Sequence, residues 1–236
     1  MSKTGEFYAI EGSDGSGKSF QARLLSLWYQ KNKIDCVLTE EHWRQDVLGQ
    51  AIDAVVEHKM AKLDPLALQM TFVANRVNHT SVIISPGIEK GSLVITDRYA
   101  ESTIAYANDE DRVFLINLTN ELIKMGKIIR PDLTILIDVP VEVALERLEL
   151  RRLGKNQVDL NKVVPELVVE STDASKLFCQ SIFEKRPKLE RVRNNYLERF
   201  NRSDERMVIV DGVGTAEEVH ERLKTEIRRR SPLAVC

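Results

Sequence analysis

Three cysteines, Cys36, Cys179 and Cys236, are too few, too far apart and odd in number for a disulfide framework, and their spacing fits no metal-ligand pattern. Reduced thiols are the expectation. The chain also lacks an excess of either charge: 34 Lys and Arg stand against 36 Asp and Glu, a formal net charge of -2. With no general basic field, neither nucleic acid nor an acidic membrane surface is an expected partner, and any anion recognition has to be local. No apolar stretch approaches the roughly 20 residues that span a bilayer, and MSKTGEF leads into a strand-like run with no apolar signal region. A cytoplasmic protein is expected. Internal repeats and low-complexity tracts are missing too.

What is present is an alternation of two periods. Short apolar runs recur at FYAIE (7–11), DCVLT (35–39), SLVITD (92–97), LTILIDV (133–139) and MVIVD (207–211). Segments of helical period lie between them. Phe20, Leu24, Leu27 and Trp28 share one helix face near the start, and Val219, Leu223 and Ile227 repeat at four-residue steps near the end. Strands that are nearly continuous in apolar residues and alternate with helices predict a mostly parallel sheet covered on both sides. The 236 residues therefore read as one three-layer α/β domain. A polar stretch of weak period, from about 153 to 183, reads as an insertion or lid.

Directly after the first apolar run comes GSDGSGKS, in which Gly12, Gly17, Lys18 and Ser19 fit G-x-x-x-x-G-K-[ST] between a strand and a helix. Glycines let backbone N–H groups converge on phosphates, and a helix N-terminus favours negative charge. Lys18 can reach the β and γ oxygens, and Ser19 can ligate magnesium. NKID (32–35) and DGVG (211–214) imitate the base-reading and γ-phosphate-sensing motifs of guanine-nucleotide switches. Their positions are wrong for that class, and both read as turns. A hydrolysing motor needs a glutamate after its strand-end aspartate, yet Arg98 follows Asp97 and Val139 follows Asp138. Transfer to a bound acceptor is what remains, and it calls for further cations around the moving group.

Three groups are candidates for them, against the plainer readings of surface ion pair, core contact and solvated basic face. ITDRY puts Asp97 and Arg98 at the C-terminal end of a strand, where open parallel sheets bind ligands. In QMTFVANRVNH, Phe72 and Arg76 lie four residues apart, a flat ring beside a forked donor. In ERLELRRLGK, Arg147, Arg151 and Lys155 recur at four-residue steps, a spacing at which like charges repel until an anion binds.

Taken in order, EGSDGSGKS, DPLALQMTFVANRVNH, ITDRYAESTIAYA and RPDLTILIDVPVEVALERL resemble thymidylate kinase, a family of nucleoside monophosphate kinases, and the likeness resumes at KLERVRNNYLERF (188–200). The resemblance implies a three-layer αβα P-loop kinase fold with a five-stranded parallel sheet and a helical lid at about 147–186. It further implies ATP with Mg2+ on the loop Gly12, Ser13, Asp14, Gly15, Ser16, Gly17, Lys18 and Ser19, with dTMP as acceptor, dTDP as product and a homodimer. By position, Asp14 would contact the acceptor sugar, Phe72 would stack on its base and Arg76 would bind the base edge. Arg98 would hold the acceptor phosphate, Tyr106 would stand beside the deoxyribose, Ser102 and Arg44 would join the acceptor site, and Asp97 with Ser19 would lie at the metal. Lys18, Asp97, Arg98 and the lid cluster Arg147, Arg151 and Arg152 are the implied catalytic set. The family places an extra arginine either in the loop or in the lid, and Gly15 at the loop position implies the lid form.

Two departures stand out. The family's R-E-P-G-G after the second strand is EEHWR (40–44) here, so Glu40 reverses a charge expected to grip the acceptor phosphate, with Arg44 or His42 available to compensate. The glutamine after the A-Y pair is Ala107. A kinase of another deoxynucleotide or a nucleoside, or a nucleotide-binding module that has lost transfer, accounts for the same departures.

Overall fold

The computed structural model describes residues 5–57, 63–154, 185–201 and 204–231. Lys155, Cys179, Cys236 and most of the expected lid lie outside the described residues, so of that lid only 147–154 and 185–186 enter below.

Five strands form one sheet: β1 (Phe7–Glu11), β2 (Cys36–Glu40), β3 (Leu93–Asp97), β4 (Leu133–Asp138) and β5 (Met207–Asp211). Their order is β2-β3-β1-β4-β5 and all four pairings are parallel. β1 sits at the centre, and every residue of FYAIE is buried. The apolar runs are continuous there because a central parallel strand is covered on both faces. β2 and β5 form the two edges and alternate instead, with Leu38 and Ile209 exposed. The uniformly apolar reading therefore holds for the middle of the sheet, and edge position relaxes it.

Nine helices are described: α1 (Lys18–Lys31), α2 (Val47–Val56), α3 (Pro65–His79), α4 (Ser85–Glu89), α5 (Ala100–Tyr106), α6 (Asp109–Lys124), α7 (Val141–Arg152), α8 (Arg186–Phe200) and α9 (Ala216–Arg230). A π-helical turn, Thr80–Ile84, joins α3 to α4. Period two along β1 divides the core. Tyr8 and Ile10 face α1 and α9, packing with Ala22, Leu25, Tyr29, Val219, Leu223 and Ile227. Phe7 and Ala9 face the opposite layer, with Ile84, Ile88, Tyr99 and Ala100. Three layers, helix on sheet on helix, are the result.

The expected face of α9 is the buried one, and Thr215 with Glu218 closes a capping box at its start. In α1 the buried face is rotated from the one expected. Leu24 is buried, but Phe20, Leu27 and Trp28 are only half-buried, and Ala22, Leu25 and Tyr29 meet the sheet. The cause is a second neighbour: Trp28 turns sideways to α9, where the Lys224 and Arg228 cations each sit 5.7 Å from its ring.

Each strand ends on a carboxylate: Glu11, Glu40, Asp97, Asp138 and Asp211. Parallel strands bring all five to one edge, which is therefore where cations must gather.

Candidate functional site

The loop from Gly12 to Gly17 links the end of β1 to α1. Gly15 has φ 83, and a Cβ there would come within 2.5 Å of the Ala144 carbonyl oxygen on α7. Neither the conformation nor the space admits a side chain, so no arginine can stand at this position. At Gly12 a Cβ would meet Ser16 Oγ at 2.5 Å and the Ile137 carbonyl at 2.8 Å. The first turn of α1 contains no acidic residue, which leaves its N-terminal N–H groups open to an anion. Ser16 Oγ is buried without a hydrogen-bond partner among the described residues. Lys18 is buried, donates to the Ser13 carbonyl at 3.3 Å and lies 3.7 Å from Asp14, while Ser19 is exposed.

Arg98 approaches this loop from β3. Its backbone is left-handed, with φ 70, and its N–H donates to the Ile10 carbonyl at 2.9 Å. Such a conformation costs about 1–3 kcal/mol in a non-glycine residue and persists only where its surroundings impose it. The side chain is thereby turned across the sheet edge. Its Nη1 donates to the Gly12 carbonyl (3.1 Å) and Ser102 Oγ (3.0 Å), and its Nη2 donates to Asp14 (2.5 Å) and Tyr106 Oη (3.1 Å). Tyr106 Oη also donates to Asp14 at 3.1 Å. Burial opposes the Asp14 carboxylate, but Arg98 and Lys18 outweigh it and hold that carboxyl below its usual range.

Behind Arg98 lies Glu11, fully buried. Burial pushes its carboxyl up to about 7, while Ser102, Arg98 and Tyr196 oppose the rise. Sequence reasoning missed Glu11 and Tyr196 as site residues. The available signal for Glu11 was an acid closing an otherwise apolar run; Tyr196 lies on α8 and carried no local signal.

A second cluster gathers around α3. Arg76 is 1% exposed, with Nε on Glu41 at 2.8 Å, Nη2 on Thr103 Oγ1 at 2.8 Å and on the Tyr99 carbonyl at 3.1 Å. Among the described residues its Nη1 and Glu41 Oε1 are buried without a hydrogen-bond partner, with His79 Nδ1 3.5 Å from that Oε1. Phe72, half-buried one turn earlier, meets His42 edge-on with ring centroids 5.6 Å apart. His42 and Arg44 both reach Asp53, at 2.7 and 3.2 Å, and Arg44 Nη1 also pairs with Glu40. The reversed charge at Glu40 is thus met within its own segment by Arg44. Glu41, unremarked in the sequence, is the acid that holds Arg76.

Of the lid arginines, Arg147 turns toward the loop. It donates to the carbonyls of Ser16 (3.2 Å), Gly212 (3.0 Å) and Gly214 (3.4 Å). DGVG runs from the last residue of β5 into a turn in which Asp211 accepts the Val213 N–H, and this clamp sets it beside the phosphate loop. NKID is also a turn, with Lys33 left-handed at φ 61. Arg152 pairs with Glu149 at 3.0 Å, and Arg151 lies in the last turn of α7.

The fit of a magnesium ion can be judged from the strand-end acids. Glu11 has its hydrogen bonds, Glu40 has Arg44, Asp138 is held by Arg193 through two bonds of 2.8 Å, and Asp211 accepts the Val213 N–H. Asp97 Oδ1 alone among these five is buried with no partner. A hard carboxylate oxygen on a residue close enough to act on the Lys18 amine, with the Ser19 hydroxyl next along the first turn of α1, is a donor set that suits magnesium.

A family model described as thymidylate kinase matches residues 10–223. Among similar proteins, the thymidylate kinase of Kosmotoga olearia is 30% identical over 222 residues, covering 93% of this chain and 94% of that protein. A probable thymidylate kinase of Thermococcus onnurineus is 32% identical over 225 residues, covering 91% of this chain and 93% of that protein. Among the described residues no helix is long and apolar enough to cross a membrane.

Proposed function

The chain belongs to the thymidylate kinase family of transferases, which phosphorylate dTMP to dTDP, and we propose how its own residues divide that work. The observation that carries the reading is that the loop cation Lys18 and the strand-end cation Arg98 converge on one carboxylate, Asp14, at 3.7 and 2.5 Å. A donor phosphate seated on the loop and an acceptor phosphate held by Arg98 then flank the same point. In-line transfer needs that arrangement, because positioning and charge stabilisation supply most of its catalysis.

On this reading the loop N–H groups and Lys18 bind the ATP phosphates, and Lys18 stabilises charge on the group in transfer. Ser19 and Asp97 would hold Mg2+, which when bound neutralises phosphate charge. Asp14 and Tyr106, already hydrogen-bonded to each other, face the acceptor sugar. Phe72 supplies a stacking surface, and the unpartnered Arg76 Nη1 is a donor left for the base edge. Ser102 supports Arg98, and Arg44, half-exposed and steadied by Glu40 and Asp53, is the cation available at the β2 edge. Arg147 ties the loop 212–214 to the phosphate cradle, which leaves Arg151 and Arg152 as the lid cations. Val113 and Phe114 on α6 and Met70 on α3 stand exposed and support the homodimer reading.

The test is turnover with Mg-ATP and a panel of acceptors: dTMP, dUMP, dCMP, dGMP and the corresponding nucleosides. dTMP should be phosphorylated fastest. A faster rate with another monophosphate would give the Glu40–Arg44 pair the meaning of an altered acceptor, and no phosphorylated product at all would leave a binding module.

Arg151→Ala should lower kcat about tenfold or more while the KM for dTMP holds, since a charge that acts only on the transferring group is felt in turnover. Steady-state kinetics decide it. An unchanged kcat would assign Arg151 to a solvated helix face.

A further inference from the structure

Glu11 is a fully buried carboxylate that the division of work above leaves without a task. Its Oε1 accepts the backbone N–H groups of Tyr99 (2.9 Å) and Ser102 (3.2 Å). Its Oε2 accepts the hydroxyls of Ser102 (2.6 Å) and Tyr196 (2.9 Å). The two hydroxyls also lie 2.7 Å from each other, and their hydrogen bonds with Glu11, like those of the two N–H groups, favour the ionised form against the burial that raises the carboxyl. Among the described residues no cation hydrogen-bonds to Glu11. The nearest positive group along this network is Arg98, reached through one hydroxyl: Ser102 Oγ accepts Arg98 Nη1 at 3.0 Å.

That hydroxyl has a single proton. Because the proton is drawn to Glu11, the oxygen lone pairs of Ser102 are left for Arg98. The carboxylate thus sets the direction of the Ser102 dipole, and the dipole gives Arg98 an acceptor on the side away from Asp14. With Asp14, Tyr106 and Gly12 holding the rest of the fork, the guanidinium is fixed from two directions. The Arg98 backbone is left-handed at φ 70, and the bonds to Gly12, Asp14, Ser102 and Tyr106 decide where its side chain points.

We propose that Glu11 is a positioning residue for phosphoryl transfer: acting through Ser102, it holds Arg98 in the orientation that receives the acceptor phosphate. The proposal rests on the reading of Arg98 as the acceptor-phosphate group. It differs from a purely structural role in what a substitution should change. Glu11 also bonds Tyr196, tying β1 to α8, so truncation would mix stability with catalysis. Glutamine keeps the shape and removes the charge, and its amide N–H groups face Ser102 and Tyr196, turning the Ser102 proton away from residue 11.

The experiment is a double-mutant cycle with Glu11→Gln, Arg98→Lys and the pair, with dTMP and ATP varied separately and the thermal midpoint measured for each protein. Losing a charge-assisted hydrogen bond predicts that Glu11→Gln lowers kcat/KM for dTMP roughly 10–100-fold. The KM for ATP should stay within about twofold, and in the Arg98→Lys background the same change should cost less than about threefold, because coupled residues are not additive. Equal losses in both backgrounds, or a KM for ATP that rises in step with that for dTMP, would overturn the proposal. Should Glu11→Gln fail to fold, Ser102→Ala takes its place in the cycle. It leaves Glu11 its two backbone donors and Tyr196, and additivity there overturns the proposal equally. Arg98→Lys alone separates the two readings. If it leaves dTMP kinetics unchanged, the assignment of Arg98 fails; if it impairs them while the cycle is additive, only the role of Glu11 fails.

Discussion

Replacing Lys18 by methionine lowers kcat by about 10²–10³-fold and leaves the fold in place, the loss expected when one preorganised charge is taken from a developing transition state. The two effects separate because of how Asp14 is partnered. Lys18 stands 3.7 Å from Asp14, whereas Arg98 binds the same carboxylate at 2.5 Å and Tyr106 donates to it at 3.1 Å. Deleting the lysine charge therefore leaves Asp14 compensated, so little stability is lost. Methionine keeps most of the aliphatic stem in its buried channel. Among the described residues Lys18 has no other strong bond to lose, since its hydrogen bond to the Ser13 carbonyl is 3.3 Å long. Burial and the nearby Arg98 also push its amine below the usual lysine range, opposed by Asp14. A cation held this way gains most when phosphate arrives. Rapid-quench or coupled-assay kinetics beside a thermal melt give the comparison, and a variant that keeps more than about a tenth of wild-type turnover would remove Lys18 from the transfer step.

Arg76→Ala has the opposite character, with a large effect on stability. Arg76 is 1% exposed and bonded to Glu41, Thr103 and the Tyr99 carbonyl, and its guanidinium lies 5.2 Å from the Tyr99 ring. Removing it strands a buried Glu41 that keeps, among the described residues, only the His79 ring at 3.5 Å. Breaking a buried pair from one side costs about 3–5 kcal/mol. For a chain of this size that is on the order of 10 °C in Tm. Chemical or thermal unfolding measures it. Glu41→Gln added to Arg76→Met should recover much of the loss, because the uncompensated charge and not the missing contacts dominates. If Arg76→Ala costs less than about 1 kcal/mol, the pair is not the anchor of this region. The KM for dTMP should rise in every Arg76 variant, since the donor proposed for the base edge is gone.

Much of this was legible in the linear chain. The five strands lie within a residue of their expected bounds: β1, β3 and β4 have no polar face and read as unbroken apolar runs, and the edge strands β2 and β5 still keep enough apolar residues to be seen. The phosphate loop was legible because glycine spacing acts locally: Gly12, Gly15 and Gly17 all take positive φ, which few other residues tolerate. Even the empty loop position has a local statement and a tertiary cause, as Gly15 lies against Ala144 on α7. The buried face of α1 was misread, since periodicity says that a helix has an apolar stripe but not how many neighbours will share it. Trp28 belongs to α9 as much as to the sheet.

Charge was where local reading ran out. The sequence by itself determined the three-layer parallel sheet, the phosphate loop and the edge of the sheet at which chemistry happens, because those follow from period and from backbone freedom. Only the tertiary structure decided which charge answers which. Arg44 meets Glu40 and Asp53, Arg76 is held by Glu41, Arg147 clamps the carbonyls of Ser16 and Gly212, and Glu11 reaches Tyr196 on α8. The physical reason is that an ion pair depends on separation in space and on the water excluded around it. Neither quantity is written in the spacing along a chain.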